Sequence, residues 1–296
     1  MNRGKTNIFF IINPHAGNNN KSRVINKIYS EINRQIFKPE MAQTETIKQL
    51  SDTLKFIKKD KKNIVVAVGG DGTINFIVNE IVDSNIRFGI IPRGSGNGLA
   101  RELHIPQTIS GAIRVINQFN FRKIDVLQLN NLYSVNVSGV GFDAVIAQKF
   151  ANLKHRGFKN YLRITAQEIK AIKPDTYNLF IDEYELNAEV YLISFANSRQ
   201  WGNNAYIAPK AKIDDGLIDV VLLHPFPLLP APFMIAKLFT KTLAHSQYID
   251  TIKAKTVTIK KAGDIFAHID GEPYTFKDKI DISIHPRKLE IMCPKI

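Results

Sequence analysis

One stretch limits this chain more than any other: Val65-Val66-Ala67-Val68-Gly69-Gly70-Asp71-Gly72-Thr73-Ile74-Asn75. Apolar residues of a buried strand run into glycines and a carboxylate, after which Ile74, Ile77, Val78 and Ile81 recur at the helical period. The reading is strand, tight turn, helix start. Glycines there bring bare backbone N–H groups up to an anion, and the helix N-terminus behind them adds about half a positive charge. Such a turn suits phosphate. Asp71 is the exception, because a carboxylate repels phosphate unless a magnesium ion or a donor stands between them; its alternative role is a helix cap.

A second turn of this kind follows. Phe88 to Ile91 is apolar and breaks at Pro92 into Arg93-Gly94-Ser95-Gly96-Asn97-Gly98, before Leu99 and Ala100 begin another helix. In an open parallel sheet, the C-terminal ends of successive strands share one edge, where ligands bind. Upstream, Ile8 to Ile12 reads as a first buried strand ending in Asn13-Pro14-His15-Ala16-Gly17, with Val24, Ile25, Ile28 and Ile32 on one helical face after it. His15 to Ser22 ends in Lys-Ser like a P-loop, but Asn20 stands where that motif needs glycine, so the motif is rejected. A helix bearing Ile47, Leu50, Leu54 and Ile57 follows Thr44. Strands and helices alternate through Phe119, which predicts an open, mostly parallel sheet with helices on both faces.

From Lys123 the apolar period becomes two. Ile124 to Leu129 and Tyr133 to Val137 flank Asn130-Asn131, a hairpin signal. Further runs lie at Tyr177 to Ile181, Glu189 to Phe195, Leu217 to Leu223, Thr256 to Ile259, Ile265 to Ile269, Ile280 to Ile284 and Leu289 to Met292. This half predicts a mainly antiparallel β-sandwich. The expected domains are 1–125, α/β and nucleotide-binding, and 126–296, β-rich and substrate-binding, with the last strand able to return to the first domain.

Gly69-Gly70-Asp71-Gly72-Thr73, followed by Pro92-Arg93-Gly94-Ser95-Gly96-Asn97, resembles the diacylglycerol kinase and sphingosine kinase superfamily of lipid kinases. The first motif alone is shared with NAD kinases; the pair is more specific. The resemblance implies an NAD kinase-like first domain, ATP and Mg2+ as cofactors, and an active site in the cleft between the halves. It implies nucleotide contacts at Asn13, Pro14, His15, Ala16, Gly17 and Thr44, at Gly69, Gly70, Asp71, Gly72, Thr73, Ile74, Asn75 and Phe76, and at Gly94, Ser95, Gly96 and Asn97. Thr44 reads otherwise as a helix cap. In Ile269-Asp270-Gly271-Glu272-Pro273 the family's Asp-Gly-Glu supplies a glutamate as general base on the lipid hydroxyl, making Glu272 and Asp71 the expected catalytic residues. As a bare sequence this is a hairpin loop.

Asp125 matches an aspartate of a water and magnesium network in bacterial diacylglycerol kinases. Asp215, with the carbonyls of Lys212 and Leu217, matches a structural magnesium site, for which an Asp-Asp-Gly turn is the plainer account. One departure stands out: Gly98 follows Asn97 where those enzymes carry an acid, as in the sphingosine kinase form.

The net charge of +13 and pI near 9.6 point to an anionic partner. A single cysteine, Cys293, excludes a disulfide framework or CxxC zinc site and fits a reducing cytoplasm. No signal peptide is expected from Met1 to Thr6, and no apolar run is long enough to span a membrane. A lipid substrate would therefore be met by transient peripheral association with the inner membrane surface. Residues 144–167 and 220–249 contain no acid and mix apolar residues with lysines, as interfacial helices do; packed helices with basic outer faces would read the same way. Nothing resembles a nucleic-acid recognition helix. A homodimer is among the assemblies the sequence leaves open. The rival functions are an NAD kinase-like enzyme and a non-catalytic binder of nucleotide or anionic membrane.

Overall fold

The computed structural model describes residues 5–12, 21–43, 46–153, 157–227, 229 and 231–295. The expected contacts at Asn13 to Gly17 and at Thr44 lie outside them. In chain order the elements are β1 (Thr6–Ile12), α1 (Lys21–Glu31), β2 (Phe37–Gln43), α2 (Ile47–Ile57), β3 (Ile64–Gly69), α3 (Asp71–Ile81), β4 (Arg87–Pro92), α4 (Gly98–Glu102) and α5 (Ile109–Asn117). Then come β5 (Phe121–Leu129), β6 (Leu132–Ser134), β7 (Val137–Gly141), α6 (Phe142–Ala151), α7 (Phe158–Glu168), β8 (Asp175–Ile181), β9 (Tyr184–Val190) and β10 (Leu192–Ala196). The remainder is β11 (Gln200–Gly202), β12 (Ala205–Tyr206), β13 (Ile218–Leu223), α8 (Ala231–Thr240), β14 (Ile249–Ala254), β15 (Thr256–Ile269) and β16 (Glu272–Met292). The chain divides into two units, Met1–Ile124 with Arg287–Ile296, and Asp125–Pro286.

In the first unit the strands run β2-β1-β3-β4-β16, each neighbouring pair parallel. Every residue of β3 is buried, as an interior parallel strand covered on both faces requires. Helix α1 packs with α5, and α2 with α3. Thr46 caps α2, its hydroxyl accepting from Gln49 N at 3.2 Å. Strand β2 escapes the period-based reading because Phe37-Lys38-Pro39-Glu40 hardly alternates; lying at the end of the strand order, it tolerates Pro39. The end of β16 seals the other side: Leu289, Ile291 and Met292 are buried, and Ile291 pairs with Phe88.

In the second unit the order β14-β13-β10-β7-β15 is antiparallel throughout, and the long hairpin of β15 and β16 continues it. The first half of β15 pairs with β8 and its last residues pair with β7, with a register shift between Lys260 and Asp264. That irregularity lets one strand serve two sheet faces, and Leu179, Ile193, Phe195, Val220, Ile259 and Ile269 fill the core between them. This is the expected antiparallel sandwich.

Several boundaries differ from the sequence reading. Thr256 to Ile269 is one bulged strand, and the runs Ile280 to Ile284 and Leu289 to Met292 belong to one strand, β16. Glu189 to Phe195 breaks at Tyr191, whose N–H donates to Leu223 O at 2.7 Å while its carbonyl accepts from Phe142 N at 2.8 Å. Tyr133 to Val137 breaks because the amides of Val135 and Asn136 donate to a side chain, described below. The described parts of the acid-free run 144–167 lie mostly in α6 and α7, packed on each other through Phe150 and Tyr161 at 5.7 Å between ring centroids. Its lysines are not all unopposed, since Lys149 pairs with Glu168 at 2.6 Å.

Candidate active site

Both glycine turns sit where successive strands of the first sheet end. Gly69 closes β3 and Gly70 is the N-cap of α3, with φ −95° and no side-chain cap. The chain leaving β4 returns at once: Arg93 N donates to Gly69 O at 2.7 Å. The turns then touch backbone to backbone. A Cβ on Gly94 would lie 2.6 Å from Gly70 Cα, and one on Gly70 would lie 2.9 Å from Gly94 Cα. Only paired glycines allow that approach.

The Asp71 carboxylate reaches across this contact. Its Oδ2 accepts from Asn97 N and its Oδ1 from Gly98 N, both at 2.8 Å. It therefore accepts from the first amides of α4. Asn97, left-handed at φ 50°, completes the turn: its Oδ1 accepts from Gly94 N at 2.8 Å and its Nδ2 donates to Gly94 O and Gln107 Oε1, each at 2.9 Å. Sequence reasoning missed Gln107, which no local pattern marks. Thr73, Ile74 and Asn75 are buried on α3, Phe76 is half-buried, and a Cβ on Gly69 would strike Thr73. The two helix starts now differ: that of α4 holds a carboxylate of this chain, while that of α3 has a glycine N-cap and a dipole suited to an outside anion.

The second unit carries the remaining candidates. Glu272 is half-buried at the first position of β16, opposite Ile269. Between them Asp270 and Gly271 both have positive φ, 50° and 89°, as a two-residue hairpin turn requires. Burial, then the charges of Glu272 and Asp270, push the Tyr274 phenol up, so that ring lies in their field.

Asp125 is fully buried; its Oδ2 accepts from Gly216 N at 2.6 Å, and its own N–H donates to Ile213 O at 2.8 Å. It thus holds the turn that contains Lys212, Asp215 and Leu217. There Lys253 Nζ lies 3.0 Å from Asp215 Oδ2 and 2.9 Å from the inner Asp219 Oδ2, while Asp215 Oδ1 accepts from Leu217 N at 3.2 Å. Burial pushes Asp219 up despite Lys253. Burial lowers Lys253, but the bonds and charges of Asp219 and Asp215 outweigh it and hold the ammonium above the ordinary lysine value. Lys253 offsets one of the two carboxylate charges of Asp215 and Asp219. Among the described residues, no group of three or more His, Cys, Asp or Glu side chains is placed to hold a metal.

Residues 7–129 match the family model of the diacylglycerol kinase catalytic domain, and residues 136–293 that of the YegS C-terminal NAD kinase beta sandwich-like domain. The chain belongs to the diacylglycerol kinase and YegS-like lipid kinase family. Among similar proteins, "Diacylglycerol kinase" of Staphylococcus epidermidis is 27% identical over 303 residues, covering 96% of this chain and 91% of its own. "Probable lipid kinase YegS-like" of Shewanella frigidimarina is 26% identical over 255 residues, 82% of each chain. The fold is shared with a crystal structure of a diacylglycerol kinase from Bacillus anthracis str. Sterne, TM-score 0.74 at 18% identity, covering 99% of this chain and 98% of that one. Membership in this kinase family implies the use of ATP.

Proposed function

We propose that the protein transfers the γ-phosphoryl group of ATP to a primary hydroxyl of a membrane-borne lipid, a diacylglycerol or a sphingoid base. One observation supports this most: the glycine-on-glycine contact of the two turns, locked by Asp71, builds an amide-rich rim at the ends of β3 and β4. Phosphoryl transfer asks a protein chiefly to position the donor, neutralise phosphate charge and orient the acceptor. The rim serves the first task through backbone N–H groups and the α3 N-terminus.

ATP arrives with Mg2+, whose hard charge would favour oxygen donors such as the Asp71 carboxylate. Glu272 takes the acceptor's proton. As the lipid oxygen bonds to the γ-phosphorus and the bridge to the β-phosphate breaks, the hydroxyl proton passes to the Glu272 carboxylate and ADP leaves. Gly98, in the sphingosine kinase form of the motif, is the reason to keep a sphingoid base beside diacylglycerol.

The lipid stays in its bilayer, so the protein comes to it. Among the described residues no helix is long and apolar enough to cross a membrane. Helix α8 is suited to lie on one instead: Leu229 and Phe233 are 88% and 72% exposed within the acid-free run 220–249, near Lys237 and Lys241.

The test is transfer of labelled phosphate from ATP to mixed micelles of dioleoylglycerol or sphingosine, with NAD as a control acceptor. Lipid phosphorylation is expected, and Glu272→Gln should lower turnover by about two to four decades. Transfer to NAD alone, or to nothing, would overturn the proposal.

A further inference from the structure

A buried carboxylate and a buried imidazole converge on the turn that carries Glu272. Asp270 is 9% exposed, and its carboxylate accepts three hydrogen bonds from a segment far away in sequence: Ser134 Oγ at 2.6 Å, Val135 N at 3.0 Å and Asn136 N at 2.9 Å. Gly271 N donates to His268 Nδ1 at 3.3 Å. An imidazole that accepts at Nδ1 carries its proton at Nε2, which here faces Asp143 Oδ2 at 3.1 Å. Ser194 Oγ donates to that same oxygen at 3.1 Å. Asp143, Ser194 and His268 are all buried.

The segment that Asp270 grips is itself fixed. Asn197 N and Ser198 N donate to Asn136 O at 3.0 and 3.2 Å, the Ser198 hydroxyl bonds to Asn136 Oδ1, and Asn197 Nδ2 donates to Val135 O and Asp125 O at 3.1 and 2.9 Å. The turn and Asp125 therefore share one hydrogen-bonded frame within this unit.

None of this is needed to make a hairpin. Asn-Gly adopts the same turn without a charge, and an ionised carboxylate is costly to bury unless its oxygens are matched. What the frame adds is a fixed direction for the next residue. We propose that Asp270, supported by His268, is a positioning residue that holds the Glu272 carboxylate at its working angle. The inference rests on the reading of Glu272 as the base. Its physical basis is the steep dependence of catalysis on placement, where an error of about 1 Å costs about 100-fold.

The experiment is a cycle of Asp270→Asn, Glu272→Gln and the double variant, assayed on whichever of dioleoylglycerol and sphingosine the protein phosphorylates, with thermal melting alongside. Asn keeps the shape but turns an N–H2 toward donors. Asp270→Asn alone should lower kcat about 10- to 100-fold with the KM for ATP unchanged; in the Glu272→Gln background it should change kcat less than about threefold. Ser134→Ala, which removes only one donor, should fold and show a smaller loss, about three- to tenfold, again absent in the Glu272→Gln background.

Equal losses in both backgrounds would overturn the proposal, because the carboxylate would then serve the fold and not Glu272. Full activity of Asp270→Asn and Ser134→Ala, with Glu272→Gln crippled, would overturn the positioning role and leave the base assignment standing. Unimpaired turnover by Glu272→Gln would remove that assignment and the inference with it.

Discussion

The molecule uses one device twice. In each unit an aspartate next to glycine takes backbone amides from a distant loop: Asp71 those of Asn97 and Gly98, Asp270 those of Val135 and Asn136. The glycines beside them differ in kind. Gly70 and Gly94 are held by crowding, each lacking room for a Cβ against the other's backbone. Gly271 has nothing within 4 Å of where a Cβ would stand, and is held by its φ of 89° alone. A glycine required by a neighbour and a glycine required by a torsion look identical in a sequence, but they fail differently.

The strongest way to break the comparison is Asp71→Ala. It strips two amides of a charged acceptor at a half-exposed site, with an expected cost of about 3 kcal/mol in urea unfolding and loss of ATP binding, since the two turns part. Wild-type-like stability would show that the glycine contact holds the rim unaided. Next is Gly94→Ala, which must push two backbones apart; about 2 kcal/mol is expected, with ATP binding weakened more than stability. Gly271→Ala should cost less, about 1 kcal/mol, because only a torsion is strained. A reversed order of these two would end the distinction between crowding and torsion.

The smallest effect concerns acid and the second unit alone. Burial raises Asp182, but the amides of Thr256 and Lys255 more than offset it and hold its pKa below the usual carboxylate value. Asp281 is lowered likewise, burial being outweighed by Lys279 and Thr258. Both contribute stability that is present above about pH 4 and lost as pH falls through their lowered values. Asp219, raised by burial, has the opposite sign: its ionised form is the penalised one, so acid relieves that cost. Melting followed from pH 6 to pH 2 should show a modest fall below pH 4 that Asp281→Asn makes shallower. A slope unchanged in that variant would assign the acid response elsewhere.

What could be read in advance follows from the range of each interaction. The glycine turns, the amphipathic helices and the change of period after Lys123 are local signals, and they carried the fold class and the family. Partners across the fold are not local. Asp71 meets an amide 27 positions on, Lys253 meets a carboxylate 38 positions back, and Asp270 meets a hydroxyl 136 positions back. No spacing rule connects such pairs, so the sequence did not show which amides Asp71 accepts from, and the run from Tyr133 to Val137 read as unbroken. A β pattern assumes that amides pair with strands; at Val135 and Asn136 they pair with a side chain instead.

The placement of residues 287–293 bears on how the protein is made. The strand beside β4 is synthesised only after the whole second unit, and with it come Leu289, Ile291 and Met292 for the first core and the Arg87 to Glu290 ion pair at 3.0 Å. A ribosome that has finished residue 124 has thus released a sheet with an open flank, which must wait through the whole second unit for its closing strand. Nascent chains stalled before residue 287 would offer that flank to chaperones or to one another.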